Sequence, residues 1–168
     1  MNPLIFATNN FNKVIEVRSL LGDDFKILSL SEAGIDIDIP EPLDTLEENA
    51  IEKSEVIYKL KGLSCFAEDT GLEVEVLNGE PGVKSARYAG DKRSFENNIN
   101  KLLDNLKGVT NRKARFRTVI CLTVKGKHNI FEGECKGTII EGRRGSSGFG
   151  YDPVFIPDGA TKTFAEMS

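Results

Sequence analysis

The sequence predicts an α/β protein in which helices flank a central mixed sheet. Short apolar runs of strand character alternate with segments of helical periodicity. The alternation runs through all 168 residues without a repeat, a low-complexity stretch or a long linker, so a single domain over 1–168 is expected. A late pair of strand-like segments around Lys125-Gly126-Lys127 reads as a hairpin, which adds antiparallel pairing to the βα pattern.

Leu4-Ile5-Phe6-Ala7 reads as a short buried strand, followed by a polar turn over Thr8-Asn9-Asn10-Phe11-Asn12. A helix is expected from about Lys13 to Leu21, with Val14, Val17 and Leu21 on one face and Gly22 as its stop. Phe25 to Leu30 reads as a second strand. Ile35-Asp36-Ile37-Asp38-Ile39 alternates strictly, as a half-exposed strand or extended edge does, and Pro40 and Pro42 end it. Thr45-Leu46-Glu47-Glu48 has capping-box spacing and opens a helix to about Lys61, closed by Gly62, with Leu46, Ala50, Ile57 and Leu60 as its buried stripe. Ser64 to Ala67 reads as a strand that runs into Glu68-Asp69-Thr70-Gly71, and Leu72 to Leu77 resumes a strand pattern. A loop over Asn78 to Gly82 follows, and Ser94 caps a helix through Leu106. Arg115 to Val124 and Asn129 to Ile140 form the hairpin, and Gly142 to Pro153 is a glycine-rich loop.

An apolar fraction of 39 % with 29 % charged residues fits a globular protein with a real core rather than a disordered chain. No apolar run is long enough to cross a bilayer, and Met1-Asn2-Pro3 leads straight into a strand without a basic, then apolar, leader. A cytoplasmic protein is therefore expected. A net charge of −4 argues against broad nucleic-acid binding but not against a nucleotide held in a local site. Cys65, Cys121 and Cys135 are too widely spaced for a CxxC metal site and read as reduced, buried or half-buried thiols. His128 is the only histidine and lies in the hairpin, away from every candidate below.

Four segments are candidates for chemistry. Thr8-Asn9-Asn10-Phe11-Asn12-Lys13 lies between a strand and a helix start, where backbone N–H groups favour phosphate and Lys13 adds a charge. A plain strand–turn–helix connection reads the same way. Glu68-Asp69-Thr70-Gly71 puts two carboxylates at a strand end, one able to bind Mg²⁺ and the other to orient or deprotonate water; an acidic surface turn is the alternative. Gly71 would permit a sharp turn or the close approach of a phosphate. Glu48 is either a helix-capping acid or a metal ligand facing Asp69, and those roles compete for one carboxylate. In Gly145 to Pro153, glycines with Phe149 and Tyr151 between them suit a loop whose backbone reads a base while a ring stacks on it, or a surface loop.

In this order, these segments, with Glu48-Asn49-Ala50, Pro81-Gly82, Ser85-Ala86-Arg87-Tyr88, Ala114-Arg115-Phe116 and Thr163-Phe164-Ala165-Glu166-Met167, resemble the inosine triphosphate pyrophosphatase family, the Ham1-like or XTP/dITP diphosphatases. The resemblance implies an elongated sheet with two lobes and a nucleotide cleft between them, and a homodimer. It implies Mg²⁺-dependent hydrolysis of ITP, dITP and XTP to monophosphate and pyrophosphate, with no nucleic-acid or membrane partner. Carried over by position, Asp69 is the proton acceptor, and Glu48 and Asp69 hold Mg²⁺. Thr8, Asn9, Asn10, Phe11, Asn12, Lys13, Thr70, Phe149, Gly150, Tyr151 and Asp152 contact substrate. Glu68 stands where many relatives have Asp, and Thr70 where many have Ser. The family pattern continues beyond Phe164-Ala165-Glu166-Met167 into a segment with Lys and Ser-His-Arg, and this chain ends at Ser168. The expectation is that this C-terminal segment is missing, with a nucleotide-binding module lacking turnover as the alternative.

Overall fold

The computed structural model describes residues 3–167; Met1, Asn2 and Ser168, on which the readings of the chain ends partly rest, lie outside them. Its strands are β1 (Leu4–Phe6), β2 (Ile27–Leu28), β3 (Cys65–Val74), β4 (Pro81–Gly82), β5 (Lys113–Val124), β6 (Lys127–Ile139) and β7 (Phe155–Pro157). The helices are α1 (Phe11–Leu21), α2 (Leu46–Lys61) and α3 (Phe95–Asn105). The strands form one sheet in the order β2-β1-β3-β5-β6-β7, with β4 also on β3. Pairing is parallel for β1 with β2 and β3, and antiparallel for β3 with β4 and β6 with β7, so the sheet is mixed as expected. Lys125 and Gly126 both have positive φ, the backbone of a two-residue hairpin turn between β5 and β6.

The chain divides into two compact units, Met1–Asp69 with Val119–Glu132 and Thr70–Thr118 with Gly133–Ser168. In the first, successive strand residues feed opposite faces. Phe6 and Phe66 stack with ring centroids 4.4 Å apart and pack with Val14 of α1. Ile5, Cys65 and Ala67 pack with Ile57 of α2 on the other face. In the second unit, Ile99, Leu102 and Leu106 cover Leu72, Val74, Ala114 and Ile139. Cys65 and Cys121 are buried free thiols and Cys135 is half-buried.

Several elements differ from the sequence expectation: β2 is confined to Ile27–Leu28, Glu75–Leu77 is a 3-10 turn, Pro81–Gly82 is a strand, and three further differences bear on packing and the site. Ile35 to Ile39 is extended but is not a strand: Ile35 and Ile39 are buried while the aspartates face out. Apolar anchoring of alternate residues imposes the same period as a ladder does. The buried face of α2 is Leu46, Asn49, Ala50, Lys53, Ser54 and Ile57, and Leu60 is 55 % exposed. Polar residues occupy stripe positions that hydropathy alone assigns outward. Glu68-Asp69-Thr70-Gly71 is neither a strand end nor a turn; it lies in the middle of the ten-residue β3.

Gly71 has a packing reason instead of a turning one. A Cβ there would lie 2.6 Å from the carbonyl oxygen of Gly82, where β4 pairs alongside β3. Backbone has no rotamer with which to yield. Gly71→Ala is therefore expected to destabilise the protein by about 1–3 kcal/mol, read from the midpoint of urea unfolding. A midpoint equal to that of the parent would show that β4 moves aside freely.

Candidate active site

Because β3 is pleated, its two consecutive carboxylates leave opposite faces of the strand. Each meets a lysine from a different helix. Glu68 forms an ion pair with Lys13 in the first turns of α1. Asp69 Oδ1 lies 3.6 Å from Lys53 Nζ of α2. Lys53 is 6 % exposed and donates to Glu41 Oε1 at 2.6 Å and to the Glu68 carbonyl oxygen at 2.6 Å. Five charged side chains, Lys13, Glu41, Lys53, Glu68 and Asp69, thus form one cluster in the first unit.

Asp69 is 7 % exposed, and burial pushes its carboxyl up to about 6, opposed by Lys53 and Lys13 and assisted by Glu41 and Glu68. Its Oδ2 is buried without a hydrogen-bond partner among the described residues. Burial alone would depress Lys13, but its pair with Glu68, together with Asp69 and Glu41, holds the ammonium above its ordinary range. The result is a carboxylate that is ionised at neutral pH yet still basic, with one oxygen open and ammonium groups close by. Such a group suits proton abstraction from water beside a polyanion.

The Thr8 to Lys13 segment forms a cap. Asn10 is the N-cap of α1, its side chain accepting from the Asn12 N–H at 3.0 Å and the Lys13 N–H at 3.5 Å, while Thr8 Oγ1 accepts from the Asn10 N–H. Asn9 donates to the Ile37 carbonyl oxygen at 3.0 Å. Phe11 and Asn12 are exposed. Glu48 is exposed and engaged at the head of α2, where it accepts from the Thr45 hydroxyl at 2.9 Å. It is not among the charges that act on Asp69. In the second unit the half-buried Thr70 hydroxyl lies 2.7 Å from that of Thr118.

In the glycine-rich loop, Tyr151 is 4 % exposed and its hydroxyl donates to the Ser85 carbonyl oxygen at 2.8 Å, so the ring is part of the core. Asp152 accepts the Phe149 N–H at 2.9 Å, and burial raises its carboxyl despite that bond. Gly148, at φ +75°, leaves the room that the Asp152 carboxylate occupies. Phe149 and Gly150 remain half-buried, the Phe149 ring centroid 6.4 Å from that of Phe95.

The sequence pattern alone does not single out Glu41 or Lys53. Lys53 had a signal: with Leu46, Ala50 and Ile57 it completes the buried spacing of α2, where an apolar residue belongs. Glu41 had only its setting between two prolines.

No group of three or more His, Cys, Asp or Glu suited to a metal ion occurs among the described residues. The carboxylates present nevertheless fit Mg²⁺, which takes one or two protein carboxylates and completes its shell with phosphate oxygens and water. The Asp69 carboxylate, with Oδ2 unpartnered among the described residues, would be one such donor, and Glu41, which shares Lys53 with Asp69, would be a second.

A mixed α/β sheet with a buried acid held between lysines defines a protein with the side chains for acid–base chemistry on an anionic ligand. A profile of the Ham1 family matches residues 4–168. The dITP/XTP pyrophosphatase of Porphyromonas gingivalis is 54 % identical over 99 % of this chain and 87 % of its own length. That of Flavobacterium psychrophilum is 53 % identical over 98 % of this chain and 87 % of its own length. Among solved structures, the Ham1 protein of Staphylococcus aureus has a TM-score of 0.88 at 41 % identity, covering 99 % of this chain and 86 % of that one. A HAM1 protein from Coxiella burnetii has a TM-score of 0.90 at 36 % identity, over 100 % and 88 %. The chain belongs to the Ham1 family.

The raised acid makes a stability prediction. The native pKa of Asp69, about 6, exceeds its ordinary value of 3.8, so the folded state holds a proton that the unfolded state releases. The stabilisation from this proton is complete below pH 4 and is lost as pH rises through 6. With a chelator present, Asp69→Asn is expected to match the parent near pH 4 and to exceed it by up to about 3 kcal/mol at pH 7–8, measured by urea unfolding. A pH-independent difference would show that Asp69 is not raised.

Proposed function

We propose that this chain hydrolyses deaminated purine nucleoside triphosphates (ITP, dITP and XTP) to the monophosphate and pyrophosphate, clearing them from the nucleotide pool. The observation that carries the reading is the buried, raised Asp69 with one open oxygen between Lys53 and Lys13. The activity named for relatives 53–54 % identical along nearly the whole chain supports the substrate class.

Breaking the anhydride between the α- and β-phosphorus requires a water to lose a proton as it attacks. Asp69 takes that proton, and its raised pKa makes it a stronger base than an exposed aspartate. Lys53 stays beside Asp69, steadying the carboxylate and tempering the repulsion from Glu41. Lys13 exchanges Glu68 for a phosphate oxygen, and Thr70 supplies a hydroxyl to the substrate. Phe149 and Gly150 offer a ring and backbone groups to the base. Asp69 and Glu41 would hold Mg²⁺, which would supply neutralisation of phosphate charge. Glu41 replaces Glu48 in this reading, because the Glu48 carboxylate serves the cap of α2.

A nucleic-acid surface finds little support. Arg115 of β5 pairs with Glu73 of β3 and Glu134 of β6 at 2.7 Å each, and Arg117 lies 3.7 Å from Glu73, so these two arginines are neutralised by neighbouring strands. No helix among the described residues is long and apolar enough to cross a membrane. Cytoplasmic residence and a homodimer complete the proposal.

With Mg²⁺ and dITP or XTP, the purified chain is expected to release pyrophosphate and not orthophosphate. Nucleotide binding without pyrophosphate release would leave a binding module only. Asp69→Asn should lower kcat by about 10²–10⁴-fold while substrate binding persists, and the parent's kcat should fall below a pH near 6 or lower, since a bound cation stabilises the carboxylate. An undiminished variant would remove Asp69 from the chemistry. Glu41→Gln should weaken Mg²⁺ binding measured by calorimetry, and Glu48→Gln should leave it unchanged; the reverse result would return the metal to Glu48.

A further inference from the structure

Glu41 reaches Lys53 from a segment, Ile35 to Thr45, that contains no helix or strand and bends only over its last three residues. Its first half is anchored by packing, with Ile35 and Ile39 buried and Ile37 against the same cluster. Its second half is not: Pro40, Pro42, Leu43 and Asp44 are all exposed. A cavity of about 250 Å³, lined in part by Pro40, Pro42, Glu52 and Val56, lies where this half passes α2. Apolar contact therefore does not fix Glu41.

Two asparagine amides hold the segment. Asn9 donates to the carbonyl oxygen of Ile37. Asn49 of α2, only 1 % exposed, makes a two-way pair with the backbone of Leu43. Its Oδ1 accepts the Leu43 N–H at 3.1 Å and its Nδ2 donates to the Leu43 carbonyl oxygen at 3.2 Å. This satisfies both backbone polar groups of Leu43, as a neighbouring strand would. Pro42, with its restricted φ, is the one residue between that clamp and Glu41. Asn49 also lies one helical turn before Lys53, so the clamp and the ammonium that receives Glu41 stand on one face of one helix.

We propose that Asn49 is a positioning residue of the site: its amide clamps Leu43 so that Glu41 is presented to Lys53 and Asp69. The proposal rests on the reading that Glu41 and Asp69 act as a pair. Groups that orient metal-binding carboxylates are usually worth 10–100-fold in affinity or activity. A side chain that merely filled space in α2 would instead affect unfolding alone.

The test is a double-mutant cycle of Asn49→Ala and Glu41→Gln in the full chain. Mg²⁺ binding is read by calorimetry without nucleotide, kcat and KM with dITP, and folding by thermal melting. Asn49→Ala is expected to weaken Mg²⁺ binding and lower kcat 10–100-fold, and to add little in the Glu41→Gln background. The isosteric Asn49→Asp keeps the acceptor for Leu43 and loses the donor; it should fold and fall between the parent and Asn49→Ala. Fully additive effects, or unchanged Mg²⁺ binding in a folded Asn49 variant while Glu41→Gln weakens it, would overturn the clamp. If Glu41→Gln itself changes neither binding nor kcat, the paired-carboxylate reading fails and the clamp falls with it.

Discussion

The site depends on one constraint: two consecutive carboxylates stand in the middle of a buried strand, and each must be neutralised from its own face. Glu68 and Asp69 occupy adjacent positions of β3, 8 % and 7 % exposed. Ionised groups so placed would be costly without partners. The pleat sends them to opposite faces, so no single lysine side chain serves both equally. Lys13 comes from α1 on one side and Lys53 from α2 on the other. The positions of both helices against the sheet are therefore part of the electrostatics, and the apolar clusters around Phe6, Phe66 and Ile57 hold the charges in register.

Neutralisation is unequal, and the inequality matters for chemistry. Lys53 makes its two shortest contacts to Glu41 and to the Glu68 carbonyl, both at 2.6 Å, and approaches Asp69 less closely. Asp69 is left with burial as the dominant influence and with Glu41 and Glu68 adding to it, so its carboxyl rises. A tighter pair with Lys53 would have yielded an inert structural ion pair. The looser one leaves a basic oxygen that meets no donor among the described residues.

The helix α2 organises several parts of this arrangement at once. Thr45 and Glu48 close its head, Asn49 holds Leu43, Lys53 gathers the acids, and Ser54 bonds the Thr123 hydroxyl of β5. Its buried face alternates apolar anchors with polar side chains that each have assigned partners. Such a stripe is legible as a helix from its period, but its polar members look like surface residues until their partners are seen.

Much of the frame could be read without coordinates. The strand and helix periods, the caps at Thr45 and Ser94, and the hairpin at Lys125-Gly126 are local effects, in which residues near in sequence satisfy each other. Asp69 and Lys13 were also legible, because their residue types and neighbours in the chain suffice to nominate them. Long-range packing decided the rest. Glu68-Asp69-Thr70-Gly71 carries turn chemistry, yet it runs on as strand because β4 packs alongside at Gly71 and lysines from two helices meet the acids. Tyr151 joined the core through Ser85, distant in sequence. Glu41 and Lys53, 12 residues apart and joined by an extended segment and a helix, acquire meaning only where the fold brings them to Asp69. Local propensity names the elements, whereas the field at a buried carboxylate is a sum over groups that only tertiary structure assembles.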